Sequence, residues 1–255
     1  MRDDTTSAAA LEFEGVTRIT DDEYLYEHPK WAPDGRTIDV SRNVEGQDIT
    51  GPGLTEWEVV LLDTATYRVE AVLQDSAVAT RSPDWSTRSG ELMLVEYDGT
   101  INQIAIRDTI QGTRRTIECA TYDFPVWSSS GDTIVTGAMI KADPASPSEY
   151  GISLLNSENG EKLSDVVLGD PFLGHFSLAP SGESLLIADY ECTGIWEVEL
   201  DTGLISAFVE DKVLRECGPA YSFDASKIAY TDRSIEDKYT SIVIANADGS
   251  SPQER

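Results

Sequence analysis

Apolar and polar residues alternate with period two through most of this chain, in short runs closed by turns rich in Gly, Asp, Asn and Ser. EWEVVLLD, INQIAIRD, GIWEVELD and SIVIANAD carry the alternation, which puts one face of each run against a core and predicts β-strands. Between them stand runs dense in branched and aromatic residues, TIDVSR, ELMLVEY, TIVTGAMI, SLLIADY and KIAYTD, which suit a pleated sheet surface. One phrase returns five times as WAPDGRTI, WSTRSGEL, WSSSGDTI, LAPSGESL and YSFDASKI. Aligned on Trp31, Trp85, Trp127, Leu178 and Tyr221, each copy has an aliphatic residue seven positions on, at Ile38, Leu92, Ile134, Leu185 and Ile228.

The anchors are 54, 42, 51 and 43 residues apart. Such a period accommodates four strands of about 5 to 6 residues with tight turns, and a recurring unit of this kind buries its apolar face by stacking on its copies. Strand A ends at the anchor, B and C are the runs above, and YRVEAVL, RRTIECA, EKLSDVV and LISAFVE supply strand D in four units. The fifth unit reaches Asp248 and Gly249 with no evident fourth strand, whereas GVTRIT at 15–20 reads as a D strand without a blade. The chain is thus expected to be all-β, a single five-bladed β-propeller of four-stranded antiparallel blades in which 15–20 completes the last blade, with six blades as the alternative. The expected blades are 26–73, 82–119, 123–167, 175–209 and 218–248, within a propeller spanning 15–250 and polar tails at 1–14 and 251–255.

HPKWAPDGRTI, FPVWSSSGDTI and IVIANADGS resemble the repeats of the TolB-like β-propellers, whose blades carry a P-x-W-S-P-D-G-x-x-I phrase and a later strand ending in D-x-D-G or D-x-x-T-G. The resemblance runs from about residue 15 to 250. It implies a propeller whose relatives mostly bind other proteins, while some propellers serve as lyases or as accessory domains of peptidases. Six or more blades are common in that family, against five counted here.

Composition changes the picture of the surface. With 46 Asp plus Glu against 19 Lys plus Arg, the net charge is −27 and the sequence pI about 4.2. Self-repulsion of that size opposes compaction in dilute buffer and fades at molar salt, where the Debye length is about 3 Å; a salt-adapted protein is expected. No basic stripe offers itself to nucleic acid, and no apolar run approaches the ~20 residues of a membrane helix. The opening MRDDTTSAAA lacks the basic and apolar regions of a secretory signal, so a cytoplasmic protein or a component of a particle or larger assembly is expected. Cys119, Cys192 and Cys217 match no zinc spacing and read as small buried thiols, with a Cys192–Cys217 disulfide possible in geometry.

In a propeller the B-to-C and D-to-A connections open on one face and the A-to-B and C-to-D turns on the other. Both insertions, NVEGQDITGPGLT at 43–55 and KADPASPSEYG at 141–151, fall on the first face, and irregular loops on a repetitive scaffold commonly carry function. The candidate binding residues there are Glu45, Asp48, Tyr122, Asp123, Asp143, Glu149, Tyr150 and Phe172. Both histidines of the chain, His28 and His175, stand three residues before an anchor and are expected to flank the channel mouth with Glu216. Imidazoles near carboxylates are a metal or acid–base combination, yet two histidines match no full ligand set, and neither a metal nor another cofactor is expected. Trp31, Trp85 and Trp127 are expected in the core, with Trp57 and Trp196 further out.

The chain has no Ser-His-Asp elbow, phosphate loop or cysteine nucleophile context. Two functional classes follow: a non-enzymatic module binding protein partners, with glycan a second ligand class, and a carbohydrate-active enzyme, a glycoside hydrolase or lyase, with acids in the central channel. The first is preferred, as a subunit of a larger assembly such as a virion or cell-surface structure.

Overall fold

The structure, a computed structural model, describes residues 24–43, 57–66, 68–73, 79–97, 102–117, 124–141, 149–168, 175–188, 194–209, 214–222, 224–234, 241–250 and 253–254. Blade one is β1 (Leu25–Trp31), β2 (Thr37–Asn43), β3 (Trp57–Asp63) and β4 (Arg68–Leu73). Blade two follows as β5 (Ala79–Trp85), β6 (Leu92–Tyr97), β7 (Asn102–Asp108) and β8 (Thr113–Ile117), and blade three as β9 (Val126–Trp127), β10 (Thr133–Lys141), β11 (Glu149–Asn156) and β12 (Lys162–Val167). Blade four holds β13 (Phe176–Leu178), β14 (Ser184–Ala188), β15 (Ile195–Glu199) and β16 (Ile205–Val209); blade five holds β17 (Leu214–Tyr221), β18 (Lys227–Ser234), β19 (Ser241–Asn246) and β20 (Gln253–Glu254). Every sheet is antiparallel and meandering, with strands paired in chain order, and the five form a ring: a five-bladed β-propeller.

The turn chemistry explains why each hairpin closes where it does. At the end of β3, Asp63 Oδ1 accepts the backbone N–H groups of Ala65 and Thr66; Asp108 does the same for Ile110 and Gln111, and Asn156 for Glu158 and Asn159. These short polar side chains satisfy the turn's own donors. After the anchor, the A-to-B turn needs a left-handed residue, and Gly35, Gly131 and Gly182 supply it at φ 65°, 75° and 77°. Blade five places Ala225 there, at φ 55°.

The core lies between blades rather than inside one sheet. Met93, Ile104 and Ile106 of blade two pack on Trp127 and Ile134 of blade three; Val135, Ile152 and Val166 pack on Phe176, Leu185 and Ile187; Leu186 and Ile195 pack on Ile228, Tyr230 and Val243. Removing each such side chain from water is worth about 1.5–3 kcal/mol. Blade one differs on its leading face, where Val40, Val60, Leu62 and Tyr26 cluster within the blade.

Two expectations are corrected. The anchor tryptophans are not alike: Trp127 is buried and Trp85 half-buried, but Trp31 is 61% exposed. Trp85 and Trp127 each lean on the blade before them, whereas Trp31 stands on the leading face of blade one, where Pro29 is exposed and Ile38 only partly buried. The fourth strand of blade five also has another source. Gly249, at φ 77°, reverses the chain, with its N–H donated to the Asn246 carbonyl, so Gln253 and Glu254, read as tail, pair with Ile244 and Val243. Residues 15–20, the expected closing strand, lie outside the described residues.

Candidate functional site

The innermost strands share a device that the sequence phrase conceals. Three residues before each anchor stand His28, Ser82, Phe124, His175 and Gly218. Four of them are left-handed, with φ of 57°, 51°, 56° and 61° for His28, Ser82, Phe124 and Gly218. In blades one, two and five the ladder breaks there, between Glu27 and Lys30, Arg81 and Asp84, and Cys217 and Ala220. Pro29, Pro83, Pro125 and Pro219 come next; proline has no N–H to lose, so it tolerates a bulge on a free edge. Blade four has Phe176 in that place, and its β13 pairs with β14 unbroken. A left-handed non-glycine residue costs roughly 1–2 kcal/mol, a cost the surrounding sheet offsets because the bulge turns the side chain off the ladder.

Three of these side chains meet at the centre of the ring. The His28 and Phe124 rings are 4.8 Å apart at 63°, Phe124 and His175 4.4 Å apart at 41°, and His28 and His175 5.5 Å apart. Blades one, three and four thus touch across the channel through an aromatic cluster. Glu27 Oε2 lies 3.6 Å from His28 Nε2. Burial lowers the His28 pKa to about 4, helped by the charges of His175, Lys30 and Arg81. His175 is exposed as a residue, yet its ring rests against Phe124 and desolvation lowers its pKa as well. Burial raises Glu27, with Arg81 opposing. Both imidazoles are therefore neutral at pH 7, with contact surfaces and lone pairs to offer.

The other sequence candidates do not all converge here. Glu149 and Tyr150 open β11 at the loop end of blade three, half-buried. Glu216 lies on β17 opposite Asp232, and only its backbone is described. Glu45, Asp48, Tyr122, Asp123, Asp143 and Phe172, with Cys119 and Cys192, lie outside the described residues. Phe124, which completes the ring cluster, was not grouped with the histidines by sequence; aligning the residue three before each anchor places it with them. Also missed was Asp39, fully buried between blades one and two, where it accepts the indole N–H of Trp85 at 2.6 Å. The position eight after each anchor would have singled it out, since its counterparts are Met93, Val135, Leu186 and Ala229.

A protein assigned as TolB from Agrobacterium tumefaciens superposes with a TM-score of 0.71 at 15% identity, covering 92% of this chain and 82% of that one. TolB from Acinetobacter baumannii superposes with a TM-score of 0.66 at 16% identity, over 89% of this chain and 54% of the other. The chain has the fold of the TolB-like β-propellers. The same fold brings in an oligogalacturonate lyase in complex with manganese, TM-score 0.62 and 14% identity, covering 88% of this chain and 63% of that one. No family model and no curated protein matches the sequence. At such identities, likeness to TolB-like propellers and to the lyase establishes fold, and function has to be argued from the site. Among the described residues, no helix is long and apolar enough to cross a membrane.

Proposed function

We propose that this propeller is a non-enzymatic protein-binding module, one subunit of a larger salt-adapted assembly, that engages its partner on the loop end of the ring around His28, Phe124 and His175. The observation that carries this reading is the aromatic cluster itself. The repeat fixes a left-handed backbone at four of these five positions, while the side chains vary among His, Ser, Phe, His and Gly, as they would where a partner rather than the fold selects them. Aromatic residues ringed by polar groups are typical binding anchors. Three of the five positions, His28, Phe124 and His175, bring ring surface to the channel, where glycoside hydrolysis calls for a pair of carboxyl groups. The net charge of −27 suits a protein working at high ionic strength, where the field that would repel acidic partners is screened.

The test is a native pull-down at molar salt with the full chain and with Phe124→Asp, alongside an assay of polysaccharide depolymerisation. A stoichiometric protein partner, recovered by the parent chain and lost with Phe124→Asp while the variant, lowered in stability by the lost packing, still unfolds cooperatively well above the assay temperature, is the expected result. A monomeric chain that depolymerises a glycan would overturn the proposal in favour of a carbohydrate-active enzyme, and equal recovery by both proteins would move the binding face elsewhere.

A further inference from the structure

Four seams of the ring are built alike, and the fifth lacks a part. In blades one to four an apolar residue of the third strand pairs with an apolar residue of the fourth: Val59 with Leu73, Ile104 with Ile117, Ile152 with Val166 and Ile195 with Val209. Each pair packs on the blade that follows, and the four third-strand residues are at most 1% exposed. Each of them lies opposite the second-strand residue ten positions after the anchor, Ser41, Val95, Gly137 and Ala188. In blade five that register falls on Thr231 and Ile242. Ile242 is 53% exposed. The ladder from β19 to β20 pairs Ile244 and Val243 and stops one residue short of it. On the leading face of blade one, Trp31 is likewise uncovered, and Val40, Val60 and Leu62 cluster within their own blade. Among the described residues, the seam between blades five and one therefore lacks its outer apolar pair.

We propose that residues 15–20 of the same chain dock along the outer edge of β19 with Ile19 against Ile242, and so cover the seam between blades five and one. Spacing selects the residue. Leu73, Val166 and Val209 each stand twelve positions before the next anchor, and the position twelve before Trp31 is Ile19. In that register the six residues GVTRIT run opposite the six of β19, from Gly15 at Asn246 to Thr20 at Ser241. The path to the next blade fits as well. Four residues, 21–24, would join this strand to β1, and four, 210–213, join β16 to β17. Val16, Thr17, Ile19 and Thr20 are β-branched and suit a sheet edge, whereas the other claimant to that edge is Gln253–Glu254, preceded by Pro252. The longer, apolar strand displaces the two polar residues. Docking restores to this seam the apolar side chain that the other four possess, and burying an isoleucine is worth about 1.5–3 kcal/mol. The inference rests on the register of the blades and is independent of the partner-binding face, so either can fail without the other.

The experiment places cysteines in pairs in the full chain, Ile19→Cys with Ile242→Cys and, as the register control, Val16→Cys with Ile242→Cys. Mild oxidation is followed by peptide mass mapping of the disulfides. Residues directly opposite in an antiparallel pair have Cβ atoms about 4.5–5.5 Å apart, near enough to be bridged with a small shift. The expected result is a link between positions 19 and 242 within monomeric protein, and little or none between 16 and 242. A link found only between chains assigns the strand to a second copy and overturns the docking within one chain; no link, or equal links from both positions, overturns it altogether. Hydrogen exchange of the segment 241–246 gives a second answer without new thiols. Ile19→Pro should speed exchange there by about tenfold or more, and removal of residues 251–255 should leave it unchanged. The reverse pattern makes Gln253–Glu254 the true occupant and refutes the proposal.

Discussion

Acidification should loosen the ring through His28, by an amount the structure sets. The imidazole is packed between Phe124 and His175, and the loss of hydration, helped by the charges of His175, Lys30 and Arg81, brings its pKa from 6.5 to about 4. In the unfolded chain this histidine takes up its proton as pH falls through about 6.5; in the folded protein it resists until about 4. Across that window the unfolded state binds more protons, so stability is complete above 6.5 and drains away as pH falls. At about 1.4 kcal/mol per pH unit, the gap amounts to about 3 kcal/mol by pH 4, or on the order of 5–10 °C in melting temperature. Asp39 pulls the other way: its raised carboxyl favours the folded state at low pH and weakens it as pH rises toward about 7. The informative quantity is therefore a difference. His28→Asn removes the titration and retains a residue that tolerates φ 57°. Urea unfolding of both proteins, followed by tryptophan fluorescence from pH 7.5 to 4, should show the parent losing stability relative to the variant as pH falls. A difference that stays constant with pH, or grows in the parent's favour in acid, would refute the reasoning.

The remaining expectations concern backbone, packing and charge. Ala225→Gly relieves a left-handed alanine in the blade-five turn and should raise stability by about 1 kcal/mol, visible as a higher urea midpoint; a fall would place the strain elsewhere. Gly151→Ala should cost about 3 kcal/mol or more, because a Cβ there would stand 2.0 Å from the Val166 carbonyl oxygen; a neutral effect in urea unfolding would show that β11 and β12 are less tightly apposed. Moving the protein from molar to about 10 mM sodium chloride should lower Tm as the repulsion among 46 acidic side chains is unscreened, and melting independent of salt would remove the case for salt adaptation.

The period of the chain made the architecture legible. Trp31, Trp85 and Trp127 mark the repeats, and the alternation in β3, β7 and β15 gives the strands, but not a single buried face: Val59 and Val60, and Ile104, Ala105 and Ile106, are buried side by side because blades pack on both faces. What the repeat hides is what differs between copies. Trp31 has the same sequence setting as Trp127 and the opposite exposure, because burial depends on the blade in front of it, which a local pattern does not contain. The strand Gln253–Glu254 is too short and polar to show any period. Asp39 and Phe124 become visible only when each register position is read down the five repeats, so that a carboxylate among aliphatics, or a phenyl beside two imidazoles, stands out against its counterparts.

A protein partner is expected to dock on the loop end of the ring. A photo-crosslinking side chain at Tyr150, at the start of β11 on that end, and another at Thr202, in the turn between β15 and β16 on the opposite end, would test it in native lysate at molar salt. One stoichiometric adduct is expected from position 150 and none from 202. The same adduct from 202, or none from either position, would contradict it.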